Sequence, residues 1–155
     1  MQTRRDIVVH SVKVAALLAW VGMLPSLSHA QGATYNSAAF EAKTIADLMK
    51  SLGAGAPAES KDVTVTGPDI AENGAVVPVG AATALPWVKR MLMLVEKNPS
   101  VLTALFDVTD MVDTNFSTRV KMGQSSNVYA VAMMNDGKVL FAQKEVKVTL
   151  GGCGG

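Results

Sequence analysis

The feature that most constrains the fold of this chain is a change in hydrophobic period after residue 60. From there to Leu150, short segments with apolar residues at every second position alternate with turn signals such as Asn73-Gly74 and Asn135-Asp136-Gly137. About seven such segments follow one another at intervals of roughly ten residues, with no helical pattern between them. This arrangement predicts a mainly β fold, an immunoglobulin-like antiparallel β-sandwich.

One N-terminal helix is predicted before the strands, over residues 37–52. Asn36 or Ser37 can cap its start, and Gly53 ends it. Apolar positions recur at helical spacing and place one apolar face on the helix. The residues on this face are Phe40, Thr44, Ile45, Leu48, Met49 and Leu52. The Ala-, Gly- and Pro-rich stretch 53–60 that follows is predicted to be a linker.

Two of the predicted strands, 91–95 and 128–134, are apolar on both faces. A sheet in a two-layer sandwich normally leaves one face to water. We therefore expect the helix or a partner subunit to cover the second face, and the two possibilities do not exclude each other. Both strands contain methionines that would suit an adaptable contact surface, namely Met91, Met93, Met133 and Met134.

Two further strand details can be read from the pattern. Pro78 indicates an edge strand or a bulge, because proline has no backbone N–H to donate to a sheet. In the last strand, the inward-facing positions run from Leu140 to Leu150 and are interrupted by Lys144. The inward anchors of this strand are expected to continue to Leu150.

Residues 1–30 have the pattern of a secretory signal peptide. Arg4-Arg5 precedes an apolar run from Val14 to Leu24, and Ser28-His29-Ala30 supplies a small-x-small end. The apolar run is too short to span a membrane. The paired arginines point to export by the twin-arginine route into the periplasm, with an ordinary signal peptide as the alternative. The mature chain is expected to start at Gln31.

Few side chains of the mature chain could carry out chemistry alone. Both histidines, His10 and His29, lie within residues 1–30, which argues against Ser-His or Cys-His catalysis and imidazole metal sites. With 14 Lys plus Arg and 13 Asp plus Glu, the charge is too balanced for a nucleic-acid binder. One cysteine cannot form an internal disulfide or a multi-cysteine metal site. No cofactor is expected.

The one cysteine, Cys153, follows the last predicted strand and is flanked by the glycines Gly151, Gly152, Gly154 and Gly155. Glycine frees the backbone and adds no side chain, and five extended residues reach about 16–18 Å. Residues 151–155 are therefore predicted to be a flexible tail that presents one sulfur atom to deep active sites of other proteins. No Lys, Arg or His lies in this segment to activate the thiol, so a partner must do so.

Two other interpretations of Cys153 remain open. A secreted β-sandwich interaction module could use an unpaired cysteine for an interchain disulfide. A self-sufficient thiol enzyme is a third possibility, and the absence of a base beside the cysteine argues against it.

The tail and several interior segments resemble the SoxY family, the carrier subunits of the periplasmic sulfur-oxidising (Sox) system. The similar segments are KDVTVTGPDIAENGAVVPV (61–79), VEKNP (95–99), STRVKMGQ (117–124) and KEVKVTLGGCGG (144–155). The resemblance covers nearly all of the mature chain, and its most specific part is the tail. It implies a non-enzymatic carrier that holds its substrate covalently on Cys153, with residues 151–155 as a swinging arm.

The resemblance also implies partners. The immunoglobulin-like domain, residues 31–150, would pair with a second β-sandwich subunit, SoxZ. A haem cytochrome complex of the SoxAX type would couple thiosulfate oxidatively to Cys153 as an S-thiosulfonate. A manganese hydrolase of the SoxB type would then release sulfate, and in some organisms a sulfane dehydrogenase of the SoxCD type would oxidise the remaining sulfur. Haem and manganese would belong to those partners, and neither nucleic acid nor a membrane is implied.

Overall fold

The computed structural model describes residues 36–150 of the chain, and within that range two short helices precede nine strands. The predicted signal peptide (1–30) and swinging arm (151–155) lie outside the described residues. The helices are α1 (Ser37–Glu41) and α2 (Ile45–Ser51). The strands are β1 (Ala58–Glu59), β2 (Val63–Thr66), β3 (Ile70–Asn73), β4 (Val77–Thr83), β5 (Val88–Val95), β6 (Leu102–Asp107), β7 (Asn115–Val120), β8 (Ser126–Met134) and β9 (Val139–Leu150).

The strands form two sheets that face each other, as the period-two pattern predicts. The larger sheet has the order β1-β9-β8-β5-β6, with β3 pairing a second part of β9, and the smaller sheet has the order β2-β4-β7. Pairing is antiparallel except for β1 and β3, which run parallel to β9. The predicted hairpin turn joins β8 to β9, where Gly137 adopts φ +88°. The mainly β, immunoglobulin-like architecture is confirmed.

The core between the two sheets is built from alternate residues of their strands. In β5, Met91 and Met93 are almost fully buried and pack against Val77 and Val79 of β4 and their neighbours. The expectation that these two methionines form a contact surface is therefore wrong, because odd-numbered positions of β5 face the smaller sheet. Met133 and Met134 of β8 are only half-buried.

The even-numbered residues of β5 point to the opposite face of the larger sheet. Leu92 and Leu94 are fully buried there in a second core, which they share with Ala39 of α1 and with Leu48 and Met49 of α2. The predicted cover by the N-terminal helical segment is confirmed, and a partner subunit on this face stays a prediction. Neither helix in the described range is long and apolar enough to span a bilayer.

The helical segment is divided, and the prediction of one helix over residues 37–52 is wrong. Ala42 leaves the helix with φ −61° and ψ +130°, and its carbonyl accepts a hydrogen bond from the Val101 amide at 3.0 Å. Thr44 then starts α2, because its hydroxyl accepts the Asp47 amide at 3.1 Å. Backbone pairing with the turn before β6 thus replaces the helical hydrogen bonds. The spacing of apolar residues cannot reveal such a competing tertiary donor.

The two ends of the helical segment lie where the sequence predicts them. The Asn36 side chain caps α1 by accepting the Ala39 amide at 3.1 Å, and Gly53 follows α2 with φ +63°. The stretch after Gly53 is not entirely a linker, however. Its residues 58–59 form β1, which pairs with Leu140 and Phe141 of β9. In the described fold, no other strand pairs with this edge of β9 at Leu140 and Phe141.

Pro78 lies in β4, the middle strand of the smaller sheet. Strand β2 pairs with β4 only from Gly80 to Thr83, so at Pro78 the described ladder continues on the β7 side alone, opposite Arg119. A missing N–H is tolerated at such a position, because the other side of the strand has no ladder bond to lose. The prediction of an edge therefore holds locally, although the strand as a whole is central.

Candidate attachment site at the end of strand β9

The predicted site residues Cys153, Gly151, Gly152, Gly154 and Gly155 lie outside the described residues. The described residue that precedes them along the chain is Leu150, the last residue of β9. The site is therefore built up here from β9 and from the elements that hold its end.

The end of β9 is held by β3 and by the turn that follows it. Its ladder with β8 stops at Ser126 and Val146, and beyond that point β9 pairs with β3. The Gly74 amide donates to the Leu150 carbonyl at 2.7 Å, and the Thr149 hydroxyl donates to the Glu72 carbonyl at 3.1 Å. The paired residues are Ile70 with Lys147, Ala71 with Val148, and Asn73 with Leu150. Strand β9 thus stays hydrogen-bonded up to Leu150.

Side-chain burial along β9 ends earlier than the sequence predicts. Val146 is fully buried and Val148 is half-buried against the core between the sheets, whereas 71% of Leu150 is exposed. The expectation that the inward anchors continue to Leu150 is wrong. Strand β9 continues past its last pairing with β8, and Leu150 lies beyond the residues that pack in the core between the sheets.

Lys144, which interrupts the inward positions of β9, ties the strand to the turn between β2 and β3. Its ammonium group lies 2.9 Å from the Asp69 carboxylate and donates to the Gly67 carbonyl at 2.7 Å. The hydrogen bond from Lys144, aided by its positive charge, lowers the pKa of the Asp69 carboxyl. The Asp69 carbonyl also accepts the Lys147 amide at 3.0 Å. This turn therefore fixes the middle of β9 as β3 fixes its end.

The acidic residues between β6 and β7 do not converge on a metal site. Asp107 pairs with the Arg90 guanidinium at 2.7 Å, while Asp110 and Asp113 are exposed. Across the described residues 36–150, no three or more His, Cys, Asp or Glu side chains are placed to hold one metal ion. The acidic residues of this segment are exposed to solvent.

The backbone of Trp87 was not foreseen from the sequence. This residue adopts φ +64°, a left-handed conformation that bulky residues rarely take, and 73% of it is exposed. Its carbonyl accepts the Asn135 amide at 2.9 Å, which places it beside the β8–β9 hairpin at the end of the sandwich opposite Leu150. The available sequence signal was only its position between Pro86 and an apolar strand.

A cavity of about 280 Å³ between α2 and the larger sheet was also not predicted. Its lining includes Ile45, Leu94 and Phe141, with Tyr129 and Gln143 as the polar members. Burial, followed by the charge of Glu96, raises the pKa of the Tyr129 phenol. The rest of the lining is apolar, and we assign the cavity no chemistry.

Solved structures of other proteins have a similar fold. The sulfur carrier protein SoxY from Chlorobium limicola f thiosulfatophilum is 34% identical, with a TM-score of 0.60, over 66% of this chain and 93% of that chain. The superoxide reductase (neelaredoxin) from Ignicoccus hospitalis is 15% identical, with a TM-score of 0.50, over 56% of this chain and 79% of that chain. The second likeness concerns the fold alone.

Comparison of sequences gives the family. No curated protein sequence matches the chain. The sequence model of the family described as "Sulfur oxidation protein SoxY" matches residues 48–153, which is more than half of the chain and includes Cys153. The chain therefore belongs to the SoxY family of sulfur oxidation proteins.

Proposed function

We propose that this protein is a sulfur carrier of thiosulfate oxidation and that Cys153 is its covalent attachment point. The observation that carries the proposal is the family match, which extends through the one cysteine of the chain. Similarity to a sulfur carrier protein over most of that protein's length supports the same role. We propose a carrier and not an enzyme, because no base accompanies the cysteine in the sequence.

The proposed loading step joins Cys153 to thiosulfate. The Cys153 sulfur would form a disulfide bond with the outer sulfur of thiosulfate, the thiol proton would pass to water, and two electrons would pass to a SoxAX-type complex, one to each of two oxidised haem irons. The product is a cysteine S-thiosulfonate. Hydrolysis by a manganese enzyme of the SoxB type breaks the bond to the sulfonate group: the water oxygen leaves in sulfate, and a persulfide stays on Cys153. A SoxCD-type sulfane dehydrogenase would then oxidise that outer sulfur.

The parts of the chain divide this task in the proposal. Residues 1–30 act as a twin-arginine signal peptide that directs the protein to the periplasm. Residues 31–150 form the carrier domain, which pairs with a SoxZ-like subunit. Residues 151–155 act as the swinging arm, with Cys153 between the glycine pairs Gly151-Gly152 and Gly154-Gly155. The chain itself holds no cofactor, since haem and manganese belong to the partners.

The described structure supports this division through β9. Hydrogen bonds from Gly74 and Thr149 hold the strand to its last residue, so an arm that starts at residue 151 has a fixed base. The five residues together extend about 16–18 Å from that base, and Cys153, the third of them, reaches about 11 Å from the Leu150 Cα, which is enough to enter a cleft. A rigid base with a glycine-rich extension suits presentation to several enzymes better than catalysis at a preorganised site.

The proposal is tested by the intact mass of the mature protein after incubation with thiosulfate and a SoxAX-type haem complex. We expect a thiosulfate adduct that maps to the Cys153 peptide, and no adduct on the Cys153→Ser variant. If only a dimer forms, and dithiothreitol reduces it, Cys153 serves an interchain disulfide. Turnover of thiosulfate without partners would instead indicate a thiol enzyme.

A further inference from the structure

The turn between β3 and β4 contains a sequence that is prone to chemical change. Asn73-Gly74 is the one Asn-Gly pair in the chain. In such a pair the backbone nitrogen of the glycine can attack the side-chain carbonyl carbon of the asparagine, because glycine has no side chain to obstruct the approach. Asn73 is exposed to water and Gly74 is buried. The reactivity of this pair therefore depends on the contacts of Gly74.

The reaction in question is deamidation, which converts Asn73 into an acid. The Gly74 amide loses its proton, its nitrogen bonds to the side-chain carbonyl carbon of Asn73, and the bond from that carbon to the side-chain nitrogen breaks. Ammonia leaves with the proton, and a succinimide ring remains. Water then opens the ring at either carbonyl, which gives aspartate or isoaspartate at residue 73. Water is the one co-reactant, and nothing is oxidised or reduced.

Both reacting groups are hydrogen-bonded in the folded protein. The Gly74 amide donates to the Leu150 carbonyl at 2.7 Å, and the Asn73 side-chain oxygen accepts the Ala75 amide at 2.9 Å. Asn73 is also paired with Leu150 in the parallel ladder of β3 and β9. Before the reaction the Gly74 amide must give up its hydrogen bond, and the Asn73 side chain must turn away from Ala75. The paired end of β9 therefore opposes deamidation, which needs a local opening of the fold.

The two possible products differ in their effect on the fold. The Gly74 carbonyl accepts the amide of the fully buried Met122 at 2.7 Å, so Gly74 joins Met122 to Leu150. Isoaspartate adds one carbon to the backbone before Gly74, and this displaces Gly74 relative to both partners. Aspartate keeps the length of the backbone and the oxygen that accepts the Ala75 amide. Only isoaspartate therefore conflicts with the pairing of Leu150.

We propose that Asn73 is a deamidation site of this protein and that the hydrogen bond from Gly74 to Leu150 keeps it unreactive while the end of β9 is paired. Opening of that end exposes the site to reaction, and the formation of isoaspartate then prevents the end from pairing again. The inference goes beyond the carrier function proposed above and does not depend on it.

The first test measures deamidation of the mature wild-type protein in mildly alkaline buffer, folded and unfolded in guanidinium chloride. Trypsin releases residues 62–89, a peptide in which Asn73 is the one side-chain amide, so the mass gain on replacing an amide by a carboxyl reports this site alone. We expect deamidation to be at least about tenfold slower in the folded protein. Equal rates in the two states would overturn the proposal.

Hydrogen exchange of the Gly74 amide, followed by NMR, measures the same opening in wild-type protein without any substitution. If deamidation proceeds through this opening, folding should slow both processes by the same factor, within about threefold. A disagreement in either direction would show that something other than the bond to Leu150 controls the reaction, and it would overturn the proposal.

Two deletions that differ by Leu150 alone isolate the protecting bond. Deleting residues 151–155 keeps the Leu150 carbonyl, whereas deleting residues 150–155 removes it and leaves Lys147 and Val148 to pair with β3. We expect wild-type rates of deamidation in the shorter deletion and rates at least about tenfold higher in the longer one. Equally slow deamidation in both would overturn the proposal. If the longer deletion does not fold, as circular dichroism would show, the exchange of the Gly74 amide decides.

The consequence for pairing is tested on the product. The deamidated fraction is separated by ion exchange, and its isoaspartate content is measured with a protein isoaspartyl methyltransferase. We expect the isoaspartyl form to melt at least about 4 °C below wild type and Asn73→Asp to stay within about 2 °C. Equal Tm values for isoaspartyl protein and Asn73→Asp would overturn the claim that the modification prevents pairing.

Discussion

At the residue scale, the proposed chemistry depends on a thiol that its sequence neighbours do not activate. No Lys, Arg or His lies within residues 151–155 to stabilise a thiolate. The rate of Cys153 alkylation in the isolated protein should therefore rise with pH to a midpoint close to that of free cysteine. A midpoint below about pH 6.5 would show that the chain activates its own thiol and would weaken the case for activation by a partner.

The Lys144–Asp69 pair gives a second prediction at this scale. In Lys144→Met the pKa of Asp69 should rise toward its ordinary value of 3.8, because the hydrogen bond and the positive charge that lower it are lost. The carboxyl carbon of Asp69, followed by NMR against pH, reports the change. Lys138→Met is the matched control, since Lys138 lowers the pKa of Asp136 and should leave Asp69 unaffected.

The sign of the linked stability follows from the lowered pKa of Asp69. The pair stabilises the folded state above about pH 3.8, and this contribution is lost as the pH falls through the lower pKa of the folded protein. The Asp69 side chain is 90% exposed, so the loss is small. The difference in unfolding free energy between wild type and Lys144→Met should therefore shrink at low pH. If this difference grew below about pH 3, the stabilisation could not be assigned to the pair.

At the element scale, α2 depends on a start that the apolar pattern did not reveal. The Thr44 hydroxyl accepts the Asp47 amide at 3.1 Å and donates to the Asp47 carboxylate at 2.7 Å. Thr44→Ala should lower the free energy of unfolding by about 1 kcal/mol, measured by urea denaturation. Thr44→Ser keeps the capping oxygen and should stay close to wild type. Equal losses in both variants would show that the cap is not the cause.

The strands were more predictable than the helices and the strand ends, for a physical reason. Alternation of side chains depends on local geometry alone, so the sequence could identify the strands at 91–95 and 128–134 and the hairpin turn at Gly137. The break at Ala42 depends on a distant amide, that of Val101, and the exposure of Leu150 depends on how far the facing elements of the sandwich extend. Neither partner can be identified from the local pattern.

The candidate site was likewise predictable only in part. The sequence pointed to Cys153 because a lone cysteine among glycines is recognisable without any tertiary information. It did not reveal what holds the end of β9, because β3 and Gly74 are far from Leu150 in sequence and reach it only through the parallel pairing of β3 with β9 and the hydrogen bond between Gly74 and Leu150.

At the scale of the whole molecule, the larger sheet lies between two cores. Leu48 of α2 is fully buried against the outer face of this sheet, in the core that contains Leu92 and Leu94. Leu48→Ala should therefore cost about 2–5 kcal/mol of unfolding free energy, whereas Leu150→Ala, the same change at an exposed site, should cost less than about 0.5 kcal/mol. Both values come from urea denaturation. A small loss for Leu48→Ala would mean that the helices contribute little to the fold.

The proposed division of the molecule into a folded domain and an arm predicts that folding and carriage can be separated. Strand β9 makes its last described hydrogen bonds through Thr149 and Leu150, and the Leu150 side chain is already 71% exposed. Deleting residues 151–155 should therefore abolish loading with thiosulfate and change the Tm by less than about 2 °C, a shift smaller than that expected for about 1 kcal/mol.

Deleting residues 147–155 is the matched comparison, because it also removes the strand that pairs with β3 and the half-buried Val148. This longer deletion should lower the Tm by many degrees, since it breaks a ladder and opens the end of the core between the sheets. If the shorter deletion lowered the Tm to a similar extent, residues 151–155 would have to pack against the sandwich. A segment held in that way could not carry sulfur between enzymes.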